Sequence, residues 1–147
     1  MTPSSDQTQR HQGLTLALAD EFCRVALDQA SLRGVLASVA VVDGGGNLVR
    51  FSRMDGAEIA GPTLAVDKAF TAVAHRITTA ELSVLTAPGG ELWGLQSNGA
   101  GRYVVFGGGV PLWSGDRVVG GVGVSGGAVD DDVACANAAL DLWRAKN

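Results

Sequence analysis

Positive charge is scarce in this sequence. Lys and Arg together number 11 against 15 for Asp and Glu, so the formal net charge is -4 and the pI is about 5.0. An acidic chain lacks the basic surface that attracts nucleic acid or an anionic membrane, and we expect neither as a partner. No run approaches the roughly 20 apolar residues of a membrane span. The first residues contain no apolar segment typical of a secretory signal, so we predict a cytoplasmic protein.

Cysteine is also scarce, with two residues in the whole chain. Neither Cys23 nor Cys135 has another Cys or a His nearby at the spacing of metal ligands. We therefore expect no zinc site. In a cytoplasmic protein both thiols are expected to stay reduced.

Glycine is the residue in excess, at 21 of 147 positions against a usual share of about 7%. The glycines follow no G-X-Y period, which excludes a collagen-like chain. Hydrophobic residues make up 46% of the sequence, enough to build a core. Residues 1–12 are polar and are predicted to form a disordered tail, and residues 13–147 a single domain.

Hydrophobic periodicity and turn residues predict an α+β fold with an antiparallel sheet flanked by helices. On the helix after Pro62, the apolar spacing of Val66, Phe70, Val73 and Ile77 predicts the stripe that faces the core. A Gly115-Asp116 turn joins the last two strands. The predicted helices cover Leu14–Ala30, Pro62–Arg76, a short segment from Thr79, and Asp130–Ala145; the predicted strands cover Ala37–Val42, Leu48–Met54, Tyr103–Phe106, Val110–Ser114 and Arg117–Val124.

Two glycine-rich motifs near the C-terminus match catalytic signatures without their context. Gly121–Gly126 fits G-x-G-x-x-G, but it falls on the return arm of a hairpin, and three aspartates that would repel phosphate follow it. Gly123–Gly127 fits G-x-S-x-G around Ser125, but no histidine follows that serine, as the hydrolase order requires. A convergent triad with His75 stays open, because triads are defined by geometry.

The glycines of the last strand leave one of its faces almost bare of side chains. Glycine weakens a strand, so this density indicates that something approaches the backbone closely. A helix or another subunit is one candidate, and a flat ligand lying against the backbone is the other. The run Gly107–Gly109 beside Pro111 raises the same choice.

A polar stripe marks the second long helix. Lys68, Thr71 and His75 are spaced i, i+3 and i+7 and so share one face, opposite the predicted core stripe. This face is either ordinary solvated surface or a cleft or subunit boundary that offers a cation, a hydroxyl and an imidazole. Such a set could bind a carboxylate, ligate iron or move a proton. Arg53 and Asp55 are further candidates, with a plain surface ion pair as the alternative.

Four segments stand out in chain order: Phe51–Ala57, Asp67–Ala72, Gly107–Pro111, and Val119–Gly127 with Asp130 to Asp132 after it. In this order they resemble the successive motifs of the GlcG/HbpS-like heme-binding family, and the same module is similar to the C-terminal domain of PduO-type proteins. The resemblance covers roughly Leu14 to Ala145. One departure is at Ala74–Thr78, where the family commonly has a Pro-Thr and this chain has His75 and no proline.

The resemblance implies a profilin-like domain with a five-stranded antiparallel sheet. It also implies homo-oligomers, which are usual in the family, and heme binding, which some members show. Some of the members that bind heme act in redox sensing or heme breakdown, and many members have no established activity and accompany catabolic enzymes. The family therefore predicts the fold better than it predicts the chemistry.

On this basis the first hypothesis is a small oligomeric heme-binding protein. Heme would lie at an oligomer cleft, with its propionates near Arg53 or Lys68 and its iron near His75. Thr71, Gly108 and Gly109 complete the candidate cofactor site.

Two other hypotheses stay open. The chain could be an isomerase, lyase or hydrolase without a cofactor that acts on a small carboxylate or carbonyl compound of a catabolic pathway. Lys68 or Arg53 would then anchor the anion, and His75 would serve as the general acid or base. The third hypothesis is an accessory oligomer without a ligand.

Overall fold

The computed structural model describes residues 13–147, so the predicted tail and His11 lie outside the described residues. Two short 3-10 turns, Leu95–Ser97 and Gly99–Gly101, interrupt the long connection before the third strand. Within residues 13–147, no helix is long and apolar enough to cross a membrane. In chain order the elements are α1 (Leu16–Leu32), β1 (Ser38–Asp43), β2 (Leu48–Arg53), α2 (Ala60–His75), α3 (Thr79–Leu85), β3 (Gly109–Ser114), β4 (Arg117–Ser125) and α4 (Val129–Lys146).

The four strands form one antiparallel sheet in the order β2-β1-β4-β3, which confirms the α+β fold. The expected fifth strand at Tyr103–Phe106 is wrong. The amide of Val104 donates to the hydroxyl of Thr71 at 3.0 Å, so this segment is bonded to α2 rather than to a neighbouring strand. The implied profilin-like class stays a prediction.

Helices cover both faces of the sheet. Side chains that alternate along β1 and β4, such as Val39, Val41 and Val122, point toward α1 and α4 and form the main hydrophobic cluster. Phe22 and Trp143 meet edge to face within it, with ring centroids 6.2 Å apart. Helix α2 packs on the opposite face.

The face under α2 is the glycine-rich one, so of the two candidates for close approach to this strand, the structure shows the helix. A Cβ on Gly123 would collide with the backbone of α2 at Ala65 and Ala69, and a Cβ on Gly121 would lie 2.8 Å from the carbonyl oxygen of Ala69. Only a strand without side chains lets the helix come this near.

This close approach overturns the predicted core stripe of α2. The buried residues of the helix are small or polar, and Val66, Phe70, Val73 and Ile77 are only partly buried. A helix backbone in contact with glycine leaves no room for large side chains between them. Val66 and Phe70 therefore lie on the flank of the helix, and Val73 reaches the strand only at Gly121, where a Cβ would lie 2.8 Å from its Cγ2 atom. The buried set is Gly61, Ala65, Lys68, Ala69, Thr71 and Ala72.

Candidate functional site

Lys68 lies on the buried side of α2 and has no exposed surface. Its Nζ donates to the carbonyl oxygen of Val124 at 2.9 Å and to Oδ2 of Asp132 at 3.0 Å. The ammonium also lies 5.0 Å from the centroid of the Phe106 ring, within cation-π range. Burial lowers the pKa of Lys68 and raises the pKa of Asp132. The ammonium is thus committed to partners within the same chain.

Asp132 connects this lysine to the start of α4. Its Oδ1 accepts the amide hydrogen of Gly127 at 3.0 Å, while Oδ2 takes the Lys68 bond. The adjacent Asp131 pairs instead with Arg33, the residue that follows α1, at 2.8 Å. Two of the three consecutive aspartates therefore hold α4 against its neighbours.

The glycine run predicted as a ligand cradle packs over Lys68. Gly108 has a φ of 127°, and a Cβ there would lie 2.8 Å from the lysine Nζ and 2.6 Å from the oxygen of Val124. The amide of Gly109 donates to the hydroxyl of Thr79 at 2.8 Å. The turn therefore needs glycine because of this chain's own side chains and backbone. A role of Gly108 and Gly109 in cofactor binding stays a prediction.

Thr71 fastens the segment after the 3-10 turns to α2. Its hydroxyl lies 2.6 Å from the carbonyl oxygen of Asp67 and 3.2 Å from that of Arg102, and it accepts the amide hydrogen of Val104. The side chain is fully buried. All the bonds of this hydroxyl are therefore made within the chain.

His75 is the last residue of α2, and its ring meets Tyr103 edge to face with centroids 4.4 Å apart. Its Nε2 atom is buried and has no hydrogen-bond partner among residues 13–147. Burial lowers the pKa of His75. The ring is therefore neutral at neutral pH, which is the form that binds metal ions.

The three residues of the polar stripe thus share a face that residues 102–108 cover. Lys68 meets Phe106, Thr71 meets Arg102 and Val104, and His75 meets Tyr103. The face is not solvated surface, and the cover comes from the same chain rather than from a neighbouring subunit. Seven helical residues, about 10 Å of rise, separate Lys68 from His75. Each contacts a different part of the covering segment.

An open pocket lies on the other flank of α2, facing the edge strand β2. It has a volume of about 400 Å³, and we call it the β2–α2 groove. A register shift between β1 and β2 near Val49 brings Leu48 and Phe51 to the same face of the strand. Leu48 keeps 54% of its surface exposed. The groove is lined by Leu48, Phe51, Pro62, Thr63, Val66 and Asp67.

Arginines flank this groove. Arg53 is two residues beyond Phe51, so it projects from the same face of β2; it is exposed and pairs with no acidic group among residues 13–147. Arg102 donates from Nε to Oδ1 of Asp67 at 3.2 Å, and its guanidinium lies 3.6 Å from the centroid of the Phe70 ring. Sequence reasoning missed both the groove and Arg102.

Other metal-binding candidates are few in the described part of the chain. Among residues 13–147 no group of three His, Cys, Asp or Glu side chains could hold a metal ion. Both cysteines are free and buried, and burial raises the pKa of Cys23 and of Cys135 to about 11. The sulfur of Met54 accepts the amide hydrogen of Ala37 at 3.2 Å.

Comparison with known proteins places this chain in a family. Residues 14–141 match the family described as "Haem degrading protein HbpS-like". An "Uncharacterized 15.0 kDa protein in dhaT-dhaS intergenic region" of Citrobacter freundii is 38% identical over 138 residues, which cover 94% of this chain and 97% of that protein.

Two further similarities concern PduO. The "Corrinoid adenosyltransferase PduO" of Salmonella typhimurium (strain LT2) is 39% identical over 120 residues, and the match spans 82% of this chain but only 36% of that protein. A crystal structure described as a PduOC:heme complex superimposes with a TM-score of 0.84 at 37% identity, covering 88% of this chain and 94% of the other.

Proposed function

We propose that this chain, which belongs to the HbpS-like family, binds heme, and that the heme ring lies in the β2–α2 groove. The observation that carries the proposal is an open, mostly apolar groove at the flank of α2 in a chain whose relative is described as a heme complex. Its volume of about 400 Å³ is within the usual range of ligand pockets.

The groove suits the ring of a porphyrin. Leu48, Phe51, Pro62 and Val66 offer an apolar wall, and a flat, largely apolar ligand gains free energy by covering such surface. Thr63 and Asp67 are the polar residues of the lining, and both lie on α2. The ring therefore fits this surface by its chemistry.

The iron is a separate question, because the described lining of the groove contains no histidine. His75 remains our predicted ligand, supported by its neutral ring and by the unpartnered, buried Nε2. Its ring lies beside Tyr103, on the side of α2 that faces away from Val66, so ligation requires the last turn of the helix to shift. We therefore assign the ring to the groove and derive no iron chemistry from it.

We also propose that copies of the chain associate through the same side of the molecule. Ile59, which precedes α2, is 91% exposed, and Leu48 and Val66 of the groove extend this apolar surface. A second copy would cover the outer face of a bound ring. Light scattering after gel filtration, with and without hemin, measures this; a strictly monomeric particle in both states contradicts self-association.

Hemin titration tests the groove. Wild-type protein is expected to shift and sharpen the Soret band of hemin. Val66→Glu places a carboxylate against the ring and is expected to weaken binding at least about tenfold, because an unpaired charge is costly in apolar surroundings. Val84→Glu is the matched control, since Val84 is 73% exposed on α3, outside the groove lining.

Two results would contradict the proposal: the absence of any Soret change with wild-type protein, or a Val66→Glu variant that binds as tightly as Val84→Glu. Thermal unfolding of both variants checks that they fold. His75→Ala tests ligation separately, with His11→Ala as the comparison for the other histidine of the sequence. A Soret position that changes only in His75→Ala supports His75 as ligand, and an unchanged position rejects it.

A further inference from the structure

Arg102 makes three contacts with one turn of α2. Its carbonyl oxygen lies 3.2 Å from the Thr71 hydroxyl, its Nε donates to Asp67 at 3.2 Å, and the central carbon of its guanidinium lies 3.6 Å from the centroid of the Phe70 ring. Asp67, Phe70 and Thr71 are spaced i, i+3 and i+4, so they form a continuous patch of the helix surface. Both the backbone and the head group of Arg102 are therefore fixed.

The fixed guanidinium keeps donors available. Asp67 uses only Nε, and no hydrogen bond joins the two terminal nitrogens to the described residues. The Arg102 side chain is 41% exposed, so these nitrogens are accessible from solvent. A planar guanidinium whose orientation is already set loses little conformational entropy when it binds a carboxylate in a bidentate manner.

Arg102 also stands at one end of the β2–α2 groove. Its partner Asp67 belongs to the groove lining. A Cβ on Gly46 would lie 2.8 Å from the Phe70 ring, so the turn before Leu48 faces the aromatic ring on which Arg102 rests. Arg53 is at the opposite end of β2, about 16 Å further along the strand. The two arginines thus lie at opposite ends of the groove.

We propose that Arg102, and not Arg53, is the residue that binds the carboxylates of the porphyrin, an inference that rests on the proposed binding of heme in the groove. A porphyrin carries both propionates on one edge of the ring, so a single end of the groove receives them. Arg102 offers an oriented, stacked guanidinium there, whereas Arg53 is exposed and without an ion-pair partner among residues 13–147. Asp67 offsets part of the charge, so directed hydrogen bonds rather than long-range attraction supply the selectivity.

The test compares metal-free protoporphyrin with its dimethyl ester, whose carboxylates are blocked, and follows binding by porphyrin fluorescence. Arg102→Gln is expected to weaken binding of the free acid about tenfold and to leave binding of the ester unchanged. Arg102→Lys keeps the charge but loses the fork and the stacking, so it is expected to recover only part of the affinity. Arg53→Gln and the exposed Arg117→Gln serve as controls.

The outcomes separate the two proposals. If wild-type protein binds the free acid and Arg102→Gln binds it equally well, or if Arg53→Gln loses more affinity than Arg102→Gln, the assignment of Arg102 is overturned while the groove stands. An equal loss for acid and ester also overturns it, because the residue would then act through the shape of the groove. If wild-type protein binds neither porphyrin, the proposed function itself falls. Thermal unfolding confirms that Arg102→Gln is folded.

Discussion

We expect the substitution Asp132→Asn to lower the free energy of unfolding strongly, although it hardly changes the volume of the side chain. The variant removes the charge that faces the buried ammonium of Lys68 at 3.0 Å, where the two side chains are 0% and 5% exposed. Water cannot replace the lost carboxylate at such a site. The remaining cation keeps the carbonyl oxygen of Val124 and the ring of Phe106 as neighbours, which only partly balance its charge.

The expected magnitude follows from burial. Removing one partner of a buried ion pair typically costs about 3–5 kcal/mol, because the other charge is left without compensation. The pair of Arg50 and Asp20 has nearly the same distance, 2.8 Å, but its side chains are 49% and 52% exposed. Solvent screens such a pair, and Asp20→Asn is expected to cost less than about 1 kcal/mol. Distance alone does not decide the outcome.

The assay is urea unfolding at neutral pH, followed by tryptophan fluorescence, with the free energy of unfolding taken from midpoint and slope. Lys68→Met and the double variant Lys68→Met/Asp132→Asn complete a cycle. Because burial lowers the pKa of Lys68 and raises that of Asp132, desolvation weighs heavily on both groups. The double variant is therefore expected to be more stable than the sum of the single losses by about 2 kcal/mol. A loss in Asp132→Asn no larger than that in Asp20→Asn would refute this reasoning.

Two further perturbations probe the C-terminal end of α2 and the strand that lies beneath this helix. Burial lowers the pKa of His75 below its ordinary value of 6.5, so protonation favours the unfolded state, and stability falls as the pH drops below 6.5. Urea midpoints between pH 7 and pH 5 should fall more steeply for wild type than for His75→Gln, and parallel slopes would contradict this. Gly123→Ala drives a methyl group into the backbone of α2 and should cost about 1–3 kcal/mol. Gly13→Ala, which meets open space, should change the urea midpoint little; equal effects would count against close packing.

Structural features that depend on residues close together in the sequence could be predicted. Thr78 caps α3 by accepting the amide hydrogen of Glu81 at 3.0 Å, and its hydroxyl lies 2.9 Å from the glutamate Oε1, an arrangement made by residues only three positions apart. The Gly115-Asp116 turn joins β3 to β4, and the glycine strand receives a helix. In each case the deciding interaction is local or is required by the backbone itself.

The orientation of α2 could not be predicted from apolar spacing. Val66 and Phe70 form the stronger hydrophobic stripe, yet the small residues beside Lys68 face the sheet. Contact with glycine selects for small side chains, and this requirement outweighs the free energy of burying larger ones at that interface. The lysine could enter the core because Asp132, 64 positions later in the chain, meets it there.

The groove and the position of Arg102 depend on contacts between residues that are far apart in the sequence. The register shift that turns Leu48 and Phe51 to one side is a property of the pairing between β1 and β2, which alternation within one strand does not reveal. Arg102 follows a 3-10 turn in an irregular segment, where no periodicity predicts which way a side chain points. Only the contacts with Asp67 and Phe70 make it a candidate.

The glycine strand and the groove have a common physical origin. Because Gly121 and Gly123 let α2 settle onto the sheet, Val66 and Phe70 do not lie beneath the helix but on its flank. There Val66 faces the side chains that the edge strand turns outward, and the two surfaces make the groove. The alternatives weighed for the glycines, a close helix or a flat ligand, are therefore linked: the helix occupies the bare strand, and by doing so it leaves an apolar flank for the ring of a ligand.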